Sequence, residues 1–524
     1  MKILYNARIY TLDKVKPLVS VIAVDHGVII AAGGDELLQA FDRADKQDLQ
    51  GYTVLPGLTD AHLHLQHYSL SLQKIDCETD TLEECLQRVK MTAQKAAAGE
   101  WVLGHGWNQN SWGNWPTAAD LDSITPNNPV FLTAKSLHAA WANSAALKLA
   151  GVGPGTPDPK DGQIQRDMKG EPTGILLENA VVLVSELIPE PGTVDLAKAI
   201  EDAQPILWRM GLTGVHDFDK RDCFLALQEL HAQQRLKLRV TKNIPVELLD
   251  HAVEVGLRTG FGDDWLRIGS VKAFMDGALG PRTAAMFQSY IGEPENKGTL
   301  LLDNEQLFEF ARHAADGGLG MTVHAIGDRA NHEVLGAYEQ LRAYETEKGL
   351  PHLRHRIEHV QLLHPDDAPR LARLDIIASM QPVHATSDML MADKYWGDRT
   401  SLAYALKTQL EAGAHVAFGS DAPVESPNPF RGIYAAVTRR RPDGSPGLAG
   451  WHPEQKLSMQ QAIEGFTTGA AYAAYAENRQ GSLSEGKLAD LIVLKKNPFT
   501  CDPEEVKDLQ SSATMVAGEW VLEI

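Results

Sequence analysis

The segment TVLPGLTDAHLHL, residues 53–65, is an apolar run that ends in two histidines one residue apart. In a strand, side chains i and i+2 project to the same face, so His62 and His64 point together. Seven more runs repeat the format of an apolar body and a polar end. They are GLTGVHDFD (211–219), LKLRVTKNIP (236–245), LRIGSVKAFMDG (266–277), GMTVHAIGD (320–328), HRIEHVQLL (355–363), DIIASMQP (375–382) and HVAFGSDAP (415–423). The intervening stretches have helical patterning, as in NEQLFEFARHAADGG and DDAPRLARL. Alternating strands and helices, eight times over, predict a (β/α)8 TIM barrel across residues 56–481. A doubly wound open sheet is the alternative, but no G-x-G-x-x-G follows the first strand.

Outside the barrel, both ends read as β. Ile3, Tyr5, Ala7 and Ile9 alternate along the N-terminus, and VSVIAVDHGVIIAAG forms a hairpin pattern turning at Asp25-His26-Gly27. The tail segments ADLIVLKKN and TMVAGEWVLEI have the same character, with a turn near Gly518. The expectation is one composite β-sandwich built from 1–55 and 482–524, with two independent β tails as the alternative. Residues 66–210 hold far more chain than one βα connection needs and predict an inserted α+β subdomain over the barrel mouth.

Bulk composition narrows the class. The 524 residues carry a net charge of −20, with 44% hydrophobic and 23% charged residues, ordinary for a globular protein with a full core. A surface this acidic repels a phosphate backbone, which argues against nucleic-acid binding. Cys77, Cys85, Cys223 and Cys501 lack C-x-x-C spacing, so neither a zinc ribbon nor a disulfide framework is expected. No apolar stretch has the length of a membrane span, and the N-terminus lacks the apolar core of a secretory signal. A cytoplasmic protein acting on a small molecule is the expectation.

The chemistry sits at the strand ends. His216, His324, His359 and Asp421 close other strands of the predicted barrel, in register with His62 and His64. One buried histidine is readily explained as a structural residue; several converging imidazoles and a carboxylate are better explained as ligands of a cation. Zinc suits these donors, and iron, manganese or cobalt are alternatives. Lys272 lies within the apolar fourth strand, where burial favours a neutral, nucleophilic amine. Such an amine can take up carbon dioxide to become a carbamate; pairing with Asp276 or another carboxylate is the structural alternative.

These motifs together resemble the amidohydrolase superfamily, in the branch that contains N-substituted formamide deformylase. The resemblance runs through LPGLTDAHLHL, SLHAAWANSAAL, VKAFMDGALGPRTAA, VHAIGDRAN, RIEHVQ, FGSDAPVESPNPF and GSLSEGKLADLIVL. It implies a binuclear centre of two divalent ions, with His62, His64, carboxylated Lys272, His324, His359 and Asp421 as ligands. It also implies the composite β-sandwich, and His138 as a pocket residue. Trp107, in a stretch with Trp101, Trp112 and Trp115, could line a substrate pocket or fill the core of the insert. Arg282 could clamp a carboxylate or brace its loop, and Asp217 and Asp219 are candidate partners of ligating histidines.

The implied reaction is hydrolysis of a non-peptide carbon–nitrogen bond by an activated water, with Asp421 as general base and then acid. A mononuclear aminohydrolase, a lactone or ester hydrolase, and a non-enzymatic assembly protein are the alternatives. The complete ligand set argues against the last of these. By analogy the chain forms a homodimer.

Overall fold

The computed structural model describes residues 1–134, 139–160 and 162–523. It divides into two compact units, Met1–Tyr68 with Ile200–Ile524, and Ser69–Ala199.

The larger unit is a TIM barrel. Its eight strands are β1 (Leu58–Leu63), β2 (Leu212–Asp217), β3 (Arg239–Pro245), β4 (Leu266–Phe274), β5 (Met321–Ala325), β6 (Arg356–His359), β7 (Ile377–Met380) and β8 (Val416–Phe418). They form one parallel sheet in sequence order. The sheet closes on itself just past β8, where Leu63 bridges Ala422 in parallel. Two backbone bonds make that closure: Asp421 N–H to the His62 carbonyl at 2.7 Å, and His64 N–H to the Ala422 carbonyl at 2.8 Å. Every residue of β2, β6 and β7 is buried, as strands covered on both faces require. The helix Asp328–Lys348 shows how the outer layer packs. It buries Ala330, Val334, Leu335, Ala337, Tyr338 and Leu341 along one face at helical spacing and ends at Gly349 in the left-handed conformation.

Two smaller sheets accompany the barrel. One has four strands, all within residues 2–48. The other has six and draws on both termini: the strand Thr53–Pro56 pairs with Leu491–Leu494, which continues into Ala513–Val516 and Glu519–Leu522. Leu4, Ile22, Val24, Ile29, Val54, Leu491, Val493 and Met515 share one buried core.

The unit Ser69–Ala199 has its own six-stranded sheet. Trp107 and Trp141 are fully buried in its core. Among the described residues no helix is long and apolar enough to cross a membrane.

Candidate metal centre

Each strand-end histidine has one ring nitrogen committed and one left over. His62 Nδ1 is 2.6 Å from Glu358 Oε2, His64 Nδ1 is 3.1 Å from Asp219 Oδ1, and His359 Nδ1 is 2.9 Å from Gln381 Oε1. In each case an oxygen takes the Nδ1 proton and Nε2 is the free donor atom. His324 is reversed: its Nε2 lies 2.9 Å from the Gly277 carbonyl, which leaves Nδ1. The rings gather at the C-terminal mouth, with centroids 4.9 Å apart for His62 and His359 and 4.5 Å for His324 and His359. Asp421 Oδ1 lies 3.4 Å from His62 Nε2 and 3.5 Å from His64 Nε2. Ligand atoms of His62, His359 and Asp421 all fall within 4.8 Å of one another.

Three residues at the same place have left-handed backbone. His359 has φ +76°, Val360 +45° and Asp421 +62°. Side-chain-bearing residues rarely occupy that region, at about 1–3 kcal/mol each, and a β-branched valine is the least suited. Surrounding contacts hold the conformation. Buried Asp60 accepts the backbone N–H groups of His62 and Ser420, both at 3.0 Å, and so ties β1 to the loop that carries Asp421. Burial raises the Asp60 carboxyl to about 7 despite these donors.

Electrostatics keep most of the imidazoles neutral. Burial, reinforced by the Lys272 charge, lowers His62 to about 4 and His324 to about 3, and burial holds His359 well below the ordinary range. His64 goes the other way. Burial opposes its charge, but Asp219 and Asp421 outweigh it and raise the ring to about 9. Lys272 is 5% exposed, and burial lowers its amine to about 8 against the pull of Glu358 and Asp421. Its Nζ lies 4.8 Å from the centroids of both the Phe218 and Phe274 rings. Among the described residues it has no carboxylate ion partner, and Asp276 instead accepts three backbone N–H groups, from Ala285, Ile326 and Gly327.

Neutral buried imidazoles at His62, His324 and His359, the Asp421 carboxylate, and His64, whose second proton a cation would displace, are a donor set that fits a divalent cation. His62, His64, His324, His359 and Asp421 would hold it through the atoms named above.

Other expectations fare differently. His216 belongs with the barrel interior: its Nδ1 is 3.0 Å from Arg356 Nη1, so it is a structural residue. Trp107 is a core residue of its unit, fully buried, with its indole N–H bonded to the Leu132 carbonyl at 2.8 Å. Substrate contact is therefore replaced by packing against Trp112, Trp115 and Trp141. Arg282 braces its loop through an ion pair to Glu293 at 2.5 Å and lies over the Tyr395 ring. His138 lies outside the described residues. Asp219 supports His64, whereas Asp217 pairs with buried Lys242 at 2.6 Å. The sequence reading missed Glu358 and Gln381, although both adjoin recognised strand ends.

Comparison with known proteins places the chain in a family. A protein of Arabidopsis thaliana, LONG AFTER FAR-RED 3, is 34% identical, covering 98% of this chain and 90% of the plant protein. The N-substituted formamide deformylase of Arthrobacter pascens is 29% identical, covering 98% of this chain and 96% of the enzyme. The crystal structure of an uncharacterized metal-dependent hydrolase from Pyrococcus furiosus superposes with a TM-score of 0.79 at 31% identity, over 95% of this chain and 100% of that one. The model of the amidohydrolase family matches residues 46–522, and with the barrel in place, this chain belongs to that family of metal-dependent hydrolases.

Proposed function

We propose that the protein hydrolyses a non-peptide carbon–nitrogen bond of a small molecule, an amide or formamide, at a centre of two divalent ions, with zinc as the best match to the ligands. The convergence of His62, His359 and Asp421 within 4.8 Å at the barrel mouth carries the reading. Its likeness to a formamide deformylase along nearly the whole chain supports the choice of bond. Bound cations supply Lewis acidity toward water and toward a carbonyl oxygen.

The protein's own residues do the rest. Asp421 takes the proton of water as the water oxygen adds to the carbonyl carbon. It then returns that proton to the nitrogen as the carbon–nitrogen bond breaks. Glu358, Asp219 and Gln381 fix the tautomers and orientations of the ligand rings. The unpaired, deprotonation-prone amine of Lys272 is suited to add carbon dioxide, forming an N–C bond and losing a proton to give an anionic carbamate ligand.

The test is a substrate panel of formamides, N-acyl amino acids, lactones and heterocyclic amines, assayed on enzyme of measured metal content. Turnover of formamides or amides that disappears on chelation and returns with zinc supports the reading. Preference for lactones or for deamination of heterocycles overturns it.

A further inference from the structure

Beside the candidate metal ligands, at the exit of β7, two buried nitrogen atoms have no hydrogen-bond partner among the described residues: Gln381 Nε2 and His384 Nε2. The residues are 2% and 6% exposed. Gln381 follows the strand directly, as the N-cap of the short helix Pro382–Ser387 in which His384 lies. Both flank the same ligand. Gln381 Oε1 receives the His359 Nδ1 proton, and the His384 ring stacks parallel to that of His359, 6° apart in plane with centroids at 6.2 Å.

Their hydrogen-bonding character is fixed from behind. With its oxygen turned to His359, Gln381 presents an NH2 group at its other end. Gln361 Nε2 faces His384 Nδ1 at 3.4 Å; with the amide in this orientation its nitrogen donates, which leaves the imidazole proton on Nε2. The Tyr404 hydroxyl, whose proton goes to Asp388 Oδ2 at 2.6 Å, lies 3.2 Å from Gln361 Oε1. Two N–H donors three residues apart are thus each held by one contact from behind and buried with no acceptor among the described residues. A buried donor left unsatisfied is costly, and such groups survive where a ligand oxygen completes them.

We propose that Gln381 Nε2 and His384 Nε2 form an oxyanion cradle, donating to the scissile carbonyl oxygen as it gains charge. This rests on the amide-hydrolysis reading above. When water oxygen bonds to the carbonyl carbon, the π pair of the carbonyl moves onto its oxygen and the water proton goes to Asp421. Donors already in place stabilise that oxygen without reorganisation. Collapse re-forms the carbonyl and releases the nitrogen, which takes up the proton. Gln381 has a second duty toward His359, so His384 is the residue that isolates the effect.

The experiment compares His384→Phe and His384→Gln with wild type as metal-loaded enzymes, measuring metal content, kcat, KM and calorimetric binding of methylphosphonate, a tetrahedral anion. In the Phe variant kcat should fall by roughly 10²–10³ with KM within about threefold, because the contact exists only in the transition state. Methylphosphonate should bind about tenfold more weakly, a loss of about 1.4 kcal/mol. His384→Gln keeps an N–H donor and should recover part of both, and it remains informative if the Phe variant fails to fold.

The cradle is overturned if the Phe variant, with full metal, keeps kcat within about threefold of wild type, or if only KM rises. Unchanged methylphosphonate affinity overturns it as well. A wild-type enzyme that hydrolyses no amide, yet binds methylphosphonate through His384, would sink the choice of reaction and leave the cradle standing.

Discussion

Nδ1 of His62 and Oε2 of Glu358 are 2.6 Å apart, with both side chains closed to solvent. Glu358 also forms an ion pair with Arg356 at 2.8 Å and accepts the Thr322 hydroxyl proton, so one carboxylate links β1, β5 and β6. Burial alone would raise this carboxyl, but Arg356 and His62 hold it well below the ordinary range.

Glu358→Gln should therefore act twice. It weakens the basicity and orientation of His62, which typically lowers metal affinity about 10–100-fold. It also leaves the buried Arg356 charge uncompensated, so Tm should drop. Chelator competition and thermal denaturation measure the two effects; unchanged metal affinity would refute the supporting role.

Asp421 separates chemistry from conformation. Asp421→Asn retains a residue that tolerates φ +62° and should fold and hold much of its metal while kcat falls by at least about 10³. Asp421→Ala should be less stable than the Asn variant, by about 1 kcal/mol, because alanine has no local hydrogen bond to favour that conformation. Urea titration and steady-state kinetics on both variants decide the matter. Near-normal kcat in the Asn variant removes Asp421 as the base.

Lys272→Ala should bind one fewer equivalent of metal, by mass spectrometry of acid-digested protein. In wild type, the second equivalent should depend on added bicarbonate. Two equivalents retained in the Ala variant would exclude the carbamate.

Far from the mouth, Glu345 accepts from His355 Nε2 at 2.9 Å and pairs with Arg342 at 2.7 Å. His355 Nδ1 in turn accepts the Met321 backbone N–H, so the ring is a neutral bridge. Burial pushes the Glu345 carboxyl up, but His355 and Arg342 outweigh it and hold it below 4.5. A depressed carboxyl contributes stability above its unfolded pKa and loses it as pH falls through the folded value. Wild type should accordingly lose stability as pH falls below 4.5 more steeply than Glu345→Gln. Parallel acid limbs in urea titrations would show that the pair contributes nothing.

The sequence made the barrel and the side chains gathered at its mouth legible because apolar runs ending in His or Asp are a local pattern. Supporting residues were harder to find. Glu358 adjoins His359, and strict strand alternation places them on opposite faces. The left-handed backbone at His359 breaks that alternation, so both serve one site. Trp107 illustrates the opposite difficulty: a dense tryptophan stretch has the same composition whether it lines a pocket or packs a core, and only tertiary contacts distinguish them.

Closure of the barrel runs through the ligands themselves, by way of the backbone of His62, His64 and Asp421. A nascent chain with seven strands assembled has neither a sealed cylinder nor its carboxylate. Both come with the same short segment, Val416 to Ala422. A chain cut before that segment is therefore expected to lose the sealed cylinder and the proposed base together.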